Sequence, residues 1–406
     1  MISNINNIKS ISIKNNIKLL YWISFFNNLW FWLGIWALYY LLFTDYTGIG
    51  IIETVMIGAA VFFEIPSGAL ADLLGKKRTI ILGLGIISLG NLIMGLALDF
   101  KILFFSAFLT SLGATFLSGT LEAITYDTLK DIRQEKKYNK ILSKQKSYTY
   151  LAHSLAGIVG GLLYKFGNPR LPFLAVSLAV VVAIFFALKL REPKSDSEKF
   201  SWENYRRQTV KGFHLLFFGP ALRRLIPILL IVGIVYLFMY EELVDLLLVA
   251  TGGTAIKIST VLVITIFISS FTVRFSGVLK EKIGNFKTFI FLAIIFALGM
   301  LFAVRVNFWG AVILTLLWTI IYSLVKIIQS DILNQYIPSK YRATTLSTFN
   351  LLISIPYLFM ATILGWLSDL YSVQKVIAIL GIVLLVGLAI GVITFLVGLK
   401  KGKLDF

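Results

Sequence analysis

Twelve apolar runs, each long enough to cross a bilayer, account for most of this chain. Six lie at about 19–43, 51–71, 79–98, 102–126, 148–166 and 171–190. After a charged interval six more follow, at about 225–249, 258–279, 287–305, 308–333, 343–367 and 376–399. A helix rising 1.5 Å per residue needs about 20 residues to span a hydrocarbon core of about 30 Å. Inside lipid the backbone must also satisfy its own hydrogen bonds. Membrane-spanning strands would show short alternating segments instead. The expectation is an all-α polytopic membrane protein with twelve transmembrane helices in two six-helix bundles. Composition agrees: 58% of residues are apolar and only 14% charged, whereas soluble domains sit near half and a quarter.

The two groups of six are related by a repeat. Ser67, Gly68, Leu70, Gly75 and Thr79 recur unchanged 209 positions later, as Ser276, Gly277, Leu279, Gly284 and Thr288. Asp72 becomes Glu281, and Arg78 becomes Lys287. Each copy leaves one apolar run, makes a tight basic turn and enters the next. Internal duplication of this kind is characteristic of transporters. The chain divides accordingly into a polar tail (1–18), a first bundle (19–190), a charged linker (191–224), a second bundle (225–399) and a short tail (400–406). A short amphipathic segment is expected at Trp202–Phe218, lying on the membrane surface. The other large polar loop, Lys130–Lys146, carries seven basic and two acidic residues.

Basic residues set the expected orientation. With both termini cytoplasmic, the tails and the cytoplasmic connections hold 30 of the 38 Lys and Arg, a strong positive-inside bias. The net charge of +18 is then explained by topology and anionic lipid headgroups, without a nucleic-acid partner. The absence of cysteine excludes disulfides and thiolate metal sites, and His153 and His214 are the only histidines. No phosphate-binding glycine loop of the ATPase type is present. No metal-ligand pairing or nucleophile–base arrangement supports a polytopic membrane enzyme.

Gly68-x-x-x-Asp72-x-x-Gly75-Lys76-Lys77-Arg78, between the second and third runs, resembles the signature loop of the major facilitator superfamily. Glu64-x-Pro66-Ser67-Gly68 before it and Ser118-Gly119-Thr120-Leu121-Glu122 in the fourth run resemble a prokaryotic drug-efflux branch. Pro338-Ser339-x-x-Arg342-Ala343-Thr344 is a further family-like block. The resemblance implies alternating access, with the loop latching one conformation and Asp127 as its partner from span four. It also implies that spans one, four, seven and ten line a central cavity. Gly68 and Gly75 are expected to permit close approach and a sharp turn.

Charges inside spans are costly and mark pathways. Glu122 in span four is the foremost candidate for proton coupling. Glu241 and Asp245, one turn apart in span seven, are the next. Asn27, Asn28 and Lys326 are candidate cavity residues, and the aromatic crowd of span one could form either a lipid belt or a cavity wall. His153 is expected to bond within the bundle. Two departures weaken the case for proton antiport: Leu109 stands where many drug antiporters carry arginine, and the span-five glycines Gly157, Gly160 and Gly161 lack the usual proline. The expectation is a secondary transporter in the plasma membrane of a prokaryote, exporting small amphipathic or cationic molecules against a proton gradient. An importer or lipid-handling protein of the same fold is the alternative. No cofactor and no obligatory protein partner are expected.

Overall fold

The structure is a computed structural model that describes residues 2–193, 202–219, 222–272, 284–337 and 342–400. Among these the chain is helical, without strands. Nine stretches are long and apolar enough to cross a membrane, and Ala255–Ser269 is a shorter apolar helix. Large apolar side chains remain exposed on many of them. Phe62, Leu178 and Phe359 are each about two-thirds exposed or more. A soluble surface seldom carries apolar area on this scale, so lipid is its natural neighbour.

Helices cluster into two compact units. The first holds Met1–Thr44, Val55–Phe200 and Ala255–Val263; the second holds Asp45–Thr54, Ser201–Thr254 and Ile264–Phe406. The first unit contains α1 (Ile2–Asn27), α2 (Trp36–Tyr40), most of α3 (Tyr46–Leu74), α4 (Lys76–Gly95), α5 (Phe100–Leu117), α6 (Thr120–Asp131), α7 (Tyr138–Leu162) and α8 (Leu171–Leu188). Helix α4 packs on α5 and α8, and α1 packs on α7 and α8. Their core is aliphatic, built on Leu20, Ile80, Leu84, Ile124, Val176 and Val180. A buried serine pair, with Ser88 Oγ and Ser177 Oγ 3.0 Å apart, joins α4 to α8, as small polar residues do between membrane helices.

The second unit contains α9 (Trp202–Phe218), α10 (Leu222–Phe238), α11 (Val244–Ala250), the second half of α12 (Ala255–Thr272), α13 (Asn285–Phe302), α14 (Phe308–Tyr336), α15 (Arg342–Tyr371) and α16 (Val373–Lys400). Here α13 packs on α14 and α16, and α10 packs on α15 and α16, the arrangement the repeat predicts from the first unit. Helix α9 occupies the expected amphipathic stretch and lies against α15 and α10.

The repeat is visible atom by atom. Gly75 adopts φ +88° and ψ 151°, and Gly284 adopts φ +85° and ψ 152°. Residues with a Cβ rarely enter this region. The hydroxyl of Thr79 then donates to the Gly75 carbonyl at 3.0 Å, and that of Thr288 to the Gly284 carbonyl at 2.8 Å. Ser276–Ile283, Arg274 and Pro338–Tyr341 lie outside the described residues, as does the side chain of Asp72.

Four expectations need correction. Span one is not one helix: α1 ends at Asn27, short turns follow, and α2 resumes at Trp36. Gly34, at φ +80°, sits so close to Ser259 that an added Cβ would lie 2.9 Å from its Cα. Span four is interrupted by Gly119 at φ +69°. The polar loop Lys130–Lys146 is mostly helix, because α7 already begins at Tyr138 and the segment contains neither proline nor glycine to stop it. Finally, Gly68 serves no close approach: among the described residues nothing lies within 4 Å of a Cβ added there.

Candidate functional site

Each unit carries an open cavity with polar and apolar lining, and five lining positions of the two are related by the 209-residue offset. In the first unit a cavity of about 420 Å³ is lined by Ser24, Asn28, Leu117, Leu121, Glu122 and Gln145, among others. In the second a cavity of about 370 Å³ is lined by Gly233, Leu237, Lys326, Ser330 and Ser354, with Glu241 and Tyr322. Ser24, Asn28, Leu117, Leu121 and Gln145 correspond through the repeat to Gly233, Leu237, Lys326, Ser330 and Ser354. The same architecture is therefore lined with different chemistry.

The first cavity is lined by amides, the Glu122 carboxylate and the exposed Lys146 ammonium. Gln145 Nε2 donates to Ser24 Oγ at 2.7 Å, and Asn28 Nδ2 donates to the Ser24 carbonyl at 2.7 Å. Gln145 Oε1 is buried without a partner. Glu122 is exposed to this cavity from the first turn of α6. The break at Gly119 places it there, where the positive end of a helix favours a carboxylate. Asn27 does not line the cavity; its Oδ1 is buried and unpartnered.

The second cavity pairs opposite charges. Lys326 Nζ donates to Tyr322 Oη at 3.4 Å and stands 5.5 Å from that ring. Lys326 and Glu241 attract one another across the space. Tyr240 stacks on Tyr322 with centroids 4.6 Å apart. Asp245 is half-buried and is not among the lining residues. Glu241 lies within and Asp245 just beyond a π-helical turn, Met239–Leu243, a feature that recurs at functional sites. Glu242, the next residue, points the other way and is fully buried.

The signature loop forms a third constellation. Lys76 Nζ and Asp127 Oδ2 make an ion pair, with side chains 10% and 14% exposed. Lys77 and Arg78 lie beside it at the start of α4. Glu192, from the segment after α8, accepts from the backbone N–H of Lys76 at 2.7 Å and of Lys77 at 2.8 Å. The carboxylate caps the helix that Gly75 opens. Glu192→Ala should lower the thermal stability of purified protein by about 1 kcal/mol, the usual worth of such a cap; an unchanged melting curve would refute the capping role.

Sequence reasoning missed Glu192 and Glu53. Glu53 stands in Ile51-Ile52-Glu53-Thr54-Val55, a lone acid inside an apolar run, and that isolation was the available signal. Among the described residues His153 Nε2 has no hydrogen-bond partner; its ring lies 4.4 Å from that of Trp30. The span-one aromatics pack mostly on each other and on Tyr148 and Phe186, and none of them lines the first cavity.

The family model described as Major Facilitator Superfamily matches residues 19–357. The chain belongs to this superfamily. Multidrug resistance protein 2 of Bacillus subtilis (strain 168) is 31% identical over 150 residues, a match covering 35% of this chain and 35% of that protein. The major facilitator fold extends over nearly the whole chain. The nucleoside transporter NupG superposes with a TM-score of 0.74 at 15% identity, covering 94% of this chain and 99% of that one. A POT family transporter in complex with 5-aminolevulinic acid gives 0.72 at 13%, covering 96% and 97%. A bacterial homologue of the human lysosomal transporter Spinster gives 0.69 at 14%, covering 98% of each chain. As a member of the superfamily this is a multi-pass membrane transporter for small molecules, not an enzyme.

Proposed function

We propose that this transporter exports small amphipathic cations in exchange for protons by alternating access. The observation that carries the reading is Glu122, a carboxylate exposed to a cavity whose other lining is amides, hydroxyls, apolar groups and the exposed Lys146 at its edge. A site of this kind attracts a cation, and the same oxygen atoms can hold a proton when the cation leaves, so the two compete. Similarity to a multidrug resistance protein supports export. The basic loops support cytoplasmic termini and a plasma-membrane location. The Lys76–Asp127 pair then acts as a latch that favours one conformation.

Inside-out vesicles with an imposed proton gradient test this directly. Wild-type protein should accumulate cationic dyes, and Glu122→Gln should reduce accumulation by roughly two orders of magnitude at equal expression, since a carboxylate is removed from a cation site. Unchanged accumulation in Glu122→Gln would remove Glu122 from the mechanism. A second reading follows from Lys326 facing Glu241: this dipole suits a zwitterionic or anionic solute and would fit an importer. Uptake of such solutes in right-side-out vesicles, with no dye export, would replace the first reading with the second.

A further inference from the structure

The first three turns of α3 lie on α15, within the second unit, along a tightly built seam. Asp369 accepts from the backbone N–H of Tyr46 at 3.1 Å and of Thr47 at 2.8 Å, and from the Thr47 hydroxyl at 2.6 Å. Thr54 Oγ1 and Thr362 Oγ1 are 2.9 Å apart. An added Cβ would fall 2.4 Å from the Ala361 carbonyl oxygen at Gly50, and 2.2 Å from the Tyr46 carbonyl oxygen at Gly365. Helices approach this closely only where small residues allow it.

Glu242 is buried at this seam at 0% exposure. Its Oε2 accepts from Tyr357 Oη at 3.3 Å, while Oε1 has no partner among the described residues. The nearest charge on α3 is Glu53, an acid facing an acid. Glu241 and Asp245 from the span-seven segment add further negative charge around Glu53, and Lys326 faces Glu241. A carboxylate with a free oxygen in such a place is costly unless it is neutral. The repeat supplies an internal comparison. Through the 209-residue offset, Glu53 corresponds to Leu262 and Glu242 to Leu33. In the first unit these leucines lie in an apolar seam, Leu262 over Gly34 and Leu33 over Gly157. The architecture thus accommodates neutral side chains at both positions.

We propose that Glu242, backed by Glu53 and Tyr357, is a proton-binding site that governs whether the start of α3 stays seated on α15. With a proton on Oε1, Glu242 is neutral, keeps its Tyr357 hydrogen bond, no longer repels Glu53, and the seam closes. When that proton passes to water, two carboxylates repel across a dry contact and the seam parts. Glu242 and Tyr357 line neither cavity, so this proton is held in addition to the one that competes with the cation at Glu122. This deepens the export reading and rests on its proton coupling, but its tests require no substrate.

The cysteine-free chain allows a single reporter, Thr54→Cys, labelled with a membrane-impermeant maleimide and normalised to the same cysteine in denatured protein. In an otherwise wild-type background the normalised rate should rise roughly tenfold or more between acidic and alkaline pH, as expected for a gate set by one protonation. With Glu53→Gln and Glu242→Gln together it should stay low throughout. Difference infrared spectra should show a protonated carboxyl band at acidic pH that Glu242→Gln removes. Persistence of the pH-dependent labelling in the double variant, or of the band in Glu242→Gln, overturns the proposal. If Glu242→Gln does not fold, Glu53→Leu substitutes for it: with the repelling acid gone, the labelling rise should move to higher pH, and an unmoved profile overturns the site. Failure of dye export with these signals intact would overturn the export reading alone.

Discussion

Gly160→Val should leave little folded protein in the membrane, and even Gly160→Ala should be markedly destabilised. The Cβ of any residue at 160 would fall 1.7 Å from the Phe31 carbonyl oxygen and 2.6 Å from its carbon. That contact is backbone against backbone, so no side chain can rotate away. Phe31 belongs to the unwound stretch between α1 and α2, whose short turns already satisfy part of its backbone hydrogen bonding. Displacing it would move α1 and α2 together. Overpacking of this severity costs about 3 kcal/mol or more. Gly85→Ala is the control, because an added Cβ there meets nothing within 4 Å; it should be neutral within about 0.5 kcal/mol. Size-exclusion profiles and melting curves in detergent would compare them, and equal behaviour of the two glycines would refute the close seat of Phe31.

Removing Lys76 from the Lys76–Asp127 pair should be worse than removing both members. The two side chains are 10% and 14% exposed, so Lys76→Met strands the Asp127 carboxylate. A stranded charge of this kind costs about 3–5 kcal/mol, whereas deleting both charges avoids that penalty. Melting temperatures should therefore rank wild type highest, the Lys76→Met/Asp127→Asn double variant next, and Lys76→Met lowest. Transport tells a separate story. If the pair is a latch that weights one conformation, the double variant should fold yet transport poorly, since stability returns without the bias. Full transport by the double variant would make the pair purely structural.

How much of this could be read from residues alone depends on the kind of signal. The helical passes were legible because lipid demands long apolar runs, and the duplication was legible because Gly75 and Gly284 each need a backbone that other residues avoid. The breaks at Asn28–Ile35 and Ser118–Gly119 were not, since hydropathy averages over them and a glycine within a span more often means packing than a turn. Glu122 was found because an acid in an apolar run stands out, but its exposure depends on the break at Gly119. Glu192 escaped because its partners, the amides of Lys76 and Lys77, lie 116 and 115 positions away. Glu53 had the same signature as Glu122. Its significance comes only from Glu242 and Tyr357, which fold brings beside it.

The π-helical turn at Met239–Leu243 behaves like a dislocation in a lattice. One surplus residue in a turn rotates everything beyond it by about 100° relative to an uninterrupted α-helix. Two glutamates adjacent in sequence can then serve a wet compartment and a dry one. Deleting one residue from this turn would heal the defect and leave the pass nearly the same length. It would also swing Val244–Ala250 to a new azimuth relative to Leu222–Phe238.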